Sequence, residues 1–238
     1  IMPSLVGSEM CIRDRSMPLA YALRTNWRPI LLGIGILPIS TGGYYLATTF
    51  ATAYATGDPI AIDERVILDA MTIASFVEFV VTLPVAWLGD KWGRKNVMYI
   101  GLITSVLTFV PFLLILPGRV EPLIFLFASL VRIAMSATYA PIAALLAQMF
   151  RPQSRYTSIA LSYGVGAAIW AGFSPWFATQ LIAWTGNIWS VLAMFTGMAV
   201  IAGICTKLAP QHSDEAPVTA SFTCLLYTSD AADEGLGV

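Results

Sequence analysis

Charge is scarce in this chain. Asp, Glu, Lys and Arg make up 11% of its 238 residues, against roughly 25% in a soluble globular domain. A surface so poor in charge calls for lipid as its solvent. Histidine is scarcer still, with His212 the only one. That leaves no serine–histidine constellation, no cluster with metal-ligand spacing and no cofactor motif. The chain is therefore not expected to be an enzyme or to hold a cofactor. Its three cysteines, Cys11, Cys205 and Cys224, form no evident disulfide set. Cys205 reads as a free apolar side chain. A net charge of −1 offers no concentrated basic surface, which argues against a nucleic-acid partner.

Apolar residues are abundant: 57% of the chain is hydrophobic and the mean hydropathy is +0.74. A helix needs about 20 consecutive apolar residues to cross a bilayer. Six stretches meet that length, at about Pro29–Tyr54, Val66–Leu88, Asn96–Leu116, Pro122–Phe150, Thr157–Trp184 and Ile188–Lys207. The links between them are short, which makes successive spans antiparallel neighbours. The expected fold class is an all-α membrane protein with six transmembrane helices.

Lys and Arg placement sets the expected orientation. With the amino-terminal end in the cytoplasm, that side holds Arg24, Arg28, Lys91, Arg94, Lys95, Arg151, Arg155 and Lys207. The outer side holds only Arg65 and Arg119. Both ends of the six-span region then face the cytoplasm. Trp27, Trp87, Trp92, Trp184 and Trp189 fall near span ends, where indole rings rest among lipid headgroups.

The two ends of the chain read differently. Residues 1–16 and about 222–238 are polar and lack helical periodicity. On the strings MCIRDR and CLLYTSDAADE, both resemble translated sequencing-adapter read-through. The expected organisation is a non-native or disordered segment 1–16, a six-helix domain 17–210, and a disordered, partly non-native segment 211–238.

Three ionisable residues lie inside spans, where charge is costly and usually faces a cavity or a partner. Glu78 and Arg132 fall near the midpoints of the second and fourth spans, so a pairing is possible. Asp69 sits nearer the outer mouth of the second span. Polar side chains form stripes at helical spacing. The second span carries Asp69, Thr72, Ser75, Glu78 and Thr82; the fourth carries Ser129, Arg132, Ser136 and Tyr139. The first carries Thr41, Tyr45, Thr48 and Thr52, and the fifth is rich in Gly and Ala. These four spans are expected to line a watery path, and the third and sixth to lie outside it. Two plainer readings stand beside this one. The Ser and Thr stripes could be interhelical hydrogen-bond seams, and Glu78–Arg132 a static bridge holding the bundle. Pro38, Gly42-Gly43 and Pro175 could break helices beside a cavity or be ordinary membrane-helix residues.

The link between the second and third spans reads Ala86-Trp87-Leu88-Gly89-Asp90-Lys91-Trp92-Gly93-Arg94-Lys95. Its cations can reach carboxylates or lipid phosphates, or serve simply as cytoplasmic anchors. This loop resembles the hallmark of the major facilitator superfamily, G-x-x-x-D-R/K-x-G-R/K-R/K. Ala86 replaces the first glycine, while Asp90, Lys91, Gly93, Arg94 and Lys95 fit. Tyr139-Ala140-Pro141-Ile142-Ala143-Ala144, Gln148-Met149-Phe150 and Arg155-Tyr156-Thr157 resemble the metabolite:proton symporter branch. The sequence departs from that pattern at Ala140, Gln148, Arg151 and Ser158, and Gln148 stands where the branch has a carboxylate.

The resemblance implies that the spans are helices seven to twelve of a twelve-helix cell-membrane transporter whose N-terminal half is missing here. It implies proton-coupled symport of a small metabolite, such as an organic acid or betaine. Arg132 is the candidate for the substrate's carboxylate, because its planar fork suits that geometry. Glu78, with Asp69 beside it in sequence order, is the candidate for proton coupling, since burial disfavours a charged carboxyl. Tyr44, Tyr45 and Tyr139 are candidates for shaping the substrate cavity. Asp90, Lys91, Gly93, Arg94, Lys95 and Arg155 are candidates for a cytoplasmic gate. A non-transporting receptor or assembly subunit is the alternative class.

Overall fold

The computed structural model describes residues 18–150 and 154–210. The expectations for 1–16 and 211–238, and for Arg151, lie outside the described residues. The first span joins α1 (Pro18–Ile36), two π-helical segments (Pro38–Gly43 and Leu46–Phe50) and α2 (Ala51–Thr56). The second and third spans are α3 (Glu64–Trp92) and α4 (Arg94–Ile115). The fourth joins α5 (Glu121–Tyr139) and α6 (Ile142–Met149), and the last two are α7 (Arg155–Thr185) and α8 (Trp189–Leu208). There is no strand among the described residues. The protein is an all-α, multi-pass membrane protein.

Five of the six spans are both long and apolar enough to cross a bilayer. The exception is α7, where the sequence suggested a sixth apolar stretch. At 31 residues it is long enough, but Ser158, Ser162, Gly164, Gly166, Gly172 and Ser174 dilute its hydropathy. Of these, Ser158, Ser162, Gly166 and Ser174 let it press against the first span, the most enclosed element of the bundle.

Proline explains much of that contact. Pro38 has no N–H, so the carbonyl four residues earlier, on Ile34, loses its helical donor. The Trp170 indole N–H donates to that carbonyl at 2.9 Å. Within the π segment that Pro38 opens, Ser174 Oγ donates to the Gly42 carbonyl at 3.0 Å. Midway along α1 the helix kinks at Asn26, whose amide donates to Ser154 at 2.6 Å and Ser158 at 3.2 Å. Irregular backbone at membrane depth is tolerable only where protein supplies such partners.

The other spans pack in a chain of neighbours. α3 lies on α5, α5 on α4, and α4 on α8, which returns to the first span. α4 approaches α5 so closely at Gly101 that a Cβ there would stand 2.7 Å from the Ala137 carbonyl carbon. Phe109 and Phe195 stack at 4.1 Å between α4 and α8. Gly93 turns the chain from α3 into α4 with φ of +91°, a conformation that favours glycine.

Trp170→Phe keeps an aromatic ring and removes the donor, leaving the Ile34 carbonyl only the long 3.4 Å bond from the Leu37 N–H. It should lower stability by about 1–2 kcal/mol, read as a lower thermal midpoint in detergent. An unchanged midpoint would show that this hydrogen bond does not hold α7 in place.

Candidate functional site

The bundle buries one arginine at its centre. Arg132, on α5, is only 3% exposed. Its Nη2 lies 3.1 Å from Glu78 Oε2 on α3. The same nitrogen donates to Ser75 Oγ at 2.8 Å and to the Tyr44 hydroxyl at 3.0 Å. The guanidinium carbon sits 4.2 Å from the centre of the Tyr44 ring, close enough for cation–π attraction. Ser75 and Glu78 are three residues apart on α3, so one helical face delivers both. Tyr44 arrives from between the two π segments of the first span.

The donor tally is uneven. A guanidinium has five N–H groups, two of them on Nη2. Three acceptors crowd Nη2, while Nε and Nη1 find no acceptor among the described residues. Three of the five hydrogens are therefore unpaired on a buried cation, an arrangement costly at membrane depth.

A cavity of about 420 Å³ opens beside this cluster. Glu78 lines it, as do Ser40, Thr41, Tyr44 and Tyr45 of the first span. α5 contributes Met135 and Tyr139, and α7 contributes Tyr163, Ala167 and Ala171. The walls thus come from the first, second, fourth and fifth spans, the four that carry polar or small-residue stripes. Arg132 is not part of the wall; it sits behind Glu78 and Tyr44. Tyr44 and Tyr45 meet edge to face at 5.9 Å.

Asp69 is placed elsewhere. It is exposed and lies nine residues, or about 13 Å along the helix, from Glu78. Most stripe hydroxyls turn back on their own helix: Thr72, Thr82, Thr48 and Ser129 each donate to the carbonyl four residues earlier. They satisfy themselves locally and do not form a seam between helices.

The α3–α4 loop keeps its charges close to home. Arg94 and Asp90 pair at 3.3 Å across the Gly93 turn. Lys91 lies 3.9 Å over the Trp87 ring, and Lys95 Nζ donates to the Ala209 carbonyl at 2.8 Å. Gly89, Asp90, Gly93 and Arg94 share a recess with Gln148 at the end of α6. Arg155 Nε donates to the Phe150 carbonyl at 3.3 Å.

Two site residues were under-read in the sequence. Ser75 was visible only as one member of a stripe, although its place three residues before Glu78 puts it within reach of the same partner. Tyr163, which shares the cavity wall with Tyr139, was not singled out as a site residue. Its spacing from Ala167 and Ala171, four residues at a time, was the usable signal.

Fold and site together define a polytopic helical membrane protein with a polar cavity at the level of a buried ion pair. The pattern of the Major Facilitator Superfamily matches residues 30–223, and the chain belongs to that family. It is 28% identical to the "Ectoine/proline transporter ProP" of Corynebacterium glutamicum, over 90% of this chain and 42% of that protein. It is 24% identical to the "Shikimate transporter" of Escherichia coli, over 72% of this chain and 39% of that protein. It is 26% identical to the "Citrate-proton symporter" of Klebsiella pneumoniae, over 69% of this chain and 37% of that protein. The chain spans about two fifths of the length of these relatives. No solved structure matches it.

A double-mutant cycle tests the central pair. Arg132→Met leaves Glu78 without its cation, and removing one partner of a buried pair typically costs about 3–5 kcal/mol. Adding Glu78→Gln should recover a large part of that loss in thermal or denaturant unfolding. Losses that simply add would mean the two side chains do not interact.

Proposed function

We propose that this chain is the C-terminal half of a secondary transporter that carries a small metabolite together with a proton. The metabolite bears a carboxylate, as an organic acid or a betaine does. The observation that carries this reading is the position of Glu78. Its carboxylate stands between the cavity and a guanidinium with three unpaired hydrogens.

A two-toothed carboxylate contact on the terminal edge of Arg132 needs a hydrogen from Nη1 and one from Nη2. Nη2 is engaged by Glu78, Ser75 and Tyr44. An incoming carboxylate therefore competes with Glu78 for the same cation. Once displaced, Glu78 is a desolvated carboxyl without a counter-ion, and it takes up the proton. Release of the substrate lets Arg132 recapture Glu78, which gives the proton up. Substrate and proton thus travel together because one cation cannot hold two carboxylates equally well. Tyr44 positions the guanidinium, while Tyr45, Tyr139 and Tyr163 shape the cavity wall. Asp69 stands apart from this exchange.

On this reading the Arg94 end of the bundle faces the cytoplasm of a cell membrane, and so do both ends of the six-span region. The Asp90–Arg94 pair, with Lys91, Gly93, Lys95 and Arg155, forms a gate there that opens and closes as two halves rock. The second half, an N-terminal six-helix unit, completes the cavity.

The test uses the intact gene, screened first with proline, ectoine, shikimate and citrate. Glu78→Gln should abolish proton-driven accumulation while leaving counterflow exchange in place. Proton dependence equal to the unmodified protein's would remove Glu78 from coupling. Arg132→Lys should weaken substrate uptake at least tenfold, because a point charge cannot replace the fork.

A further inference from the structure

A second concavity lies between α4 and α8. It has a volume of about 350 Å³. Leu102, Ile103, Val106 and Leu107 line it from α4, and Ala199 and Val200 from α8. Neither helix contributes to the polar cavity. Its floor is widened by Gly203, against which Tyr99 closes one end through a hydroxyl donated to the Gly203 carbonyl at 3.3 Å. Ile103, Leu107 and Val200 are exposed, so this groove opens outward from the bundle.

The Tyr99 end leads directly to a basic rim. Lys95 is four residues before Tyr99 and Lys207 is four residues after Gly203, so each lies one turn beyond the groove on the same helical face. The Lys95 ammonium is fixed in place by the Ala209 carbonyl at 2.8 Å. It has three hydrogens and gives one to that carbonyl, which leaves two for another acceptor. Lys207 is exposed. Neither α4 nor α8 contains Asp or Glu, and the nearby Asp90 is held by Arg94. An apolar slot about 12 Å long therefore ends under two cations with no acid on either helix to answer them.

We propose that this groove binds an anionic phospholipid, with one acyl chain in the slot and the phosphate against Lys95 and Lys207. The slot alone would accept any lipid tail. The paired cations at one end select a headgroup of net negative charge. The site belongs to the leaflet at the Arg94 end of the bundle and is independent of the proposed transport chemistry.

The experiment uses the intact transporter, purified in detergent. Binding of palmitoyl-oleoyl phosphatidylglycerol and phosphatidylcholine is compared by native mass spectrometry and by the thermal midpoint. The unmodified chain should retain phosphatidylglycerol in preference. Lys95→Gln with Lys207→Gln should cut that preference roughly thirtyfold, since each cation near an anionic headgroup contributes about fivefold. Gly203→Val fills the groove, and the Cβ it adds stands in ordinary contact with Leu102 and Tyr99, at 3.8 and 3.9 Å. It should weaken both lipids, read as a smaller rise of the midpoint when lipid is added. Glycerol phosphate, a headgroup without tails, should give no stabilisation. Equal binding of the two lipids by the unmodified chain would overturn the proposal. So would a preference that survives loss of both lysines, lipid binding indifferent to Gly203→Val, or lipid-independent pairing of two chains through this face.

Discussion

One buried cation organises this molecule. Arg132 lies at membrane depth, where an isolated charge is costly, and the surrounding helices meet around it. α3 brings Glu78 and Ser75 to its Nη2, and the first span brings Tyr44 to the same nitrogen and to the guanidinium face. The arrangement is nonetheless unfinished, because Nε and Nη1 have no acceptor among the described residues. A purely structural bridge would gain stability by closing those contacts. The proposed exchange of carboxylates uses them instead, and gives a reason for a bridge that satisfies one side of a fork and leaves the other open.

Holding Tyr44 at that point requires an irregular backbone. Pro38 and the Gly42-Gly43 pair replace α-helix with π segments, which frees carbonyls that membrane lipid cannot satisfy. α7 supplies the remedy through donors on Trp170 and Ser174, while Ser158 in its first turn accepts from the Asn26 amide at the α1 kink. Those polar and small residues are the reason α7 is less apolar than its neighbours. The cavity therefore lies between two elements that each depart from an ordinary membrane helix, and the departures compensate each other. The outer pair, α4 and α8, keeps regular geometry and aromatic stacking. This leaves their shared face free for lipid.

The sequence conveyed the fold through length and period. Glu78 and Arg132 could be paired in advance because each sits near mid-span, and burial limits what such charges can touch. Gly93 could be read as a turn because a glycine followed Asp90-Lys91-Trp92 at a helix boundary. Other features were out of reach. Nothing in the spacing of α3 told Asp69 from Glu78, since both fall on one stripe; only the packing of α5 and the first span decides which one is enclosed. The self-satisfied hydroxyls of Thr72 and Thr82 look identical in sequence to hydroxyls facing water. The Pro38–Trp170 relation joins residues 132 positions apart, and no local pattern foretells which indole reaches a stranded carbonyl.

The most direct measurement of the central claim is a proton count on ligand binding. Calorimetric titration of the intact transporter, run in buffers of different ionisation enthalpy, gives the protons taken up as a transported carboxylate binds. The account predicts an uptake close to one proton per ligand, by linkage between the two binding events, and its loss when Glu78 is replaced by Gln. The same uptake with and without Glu78, or none in the unmodified protein, would contradict an exchange of carboxylates on Arg132.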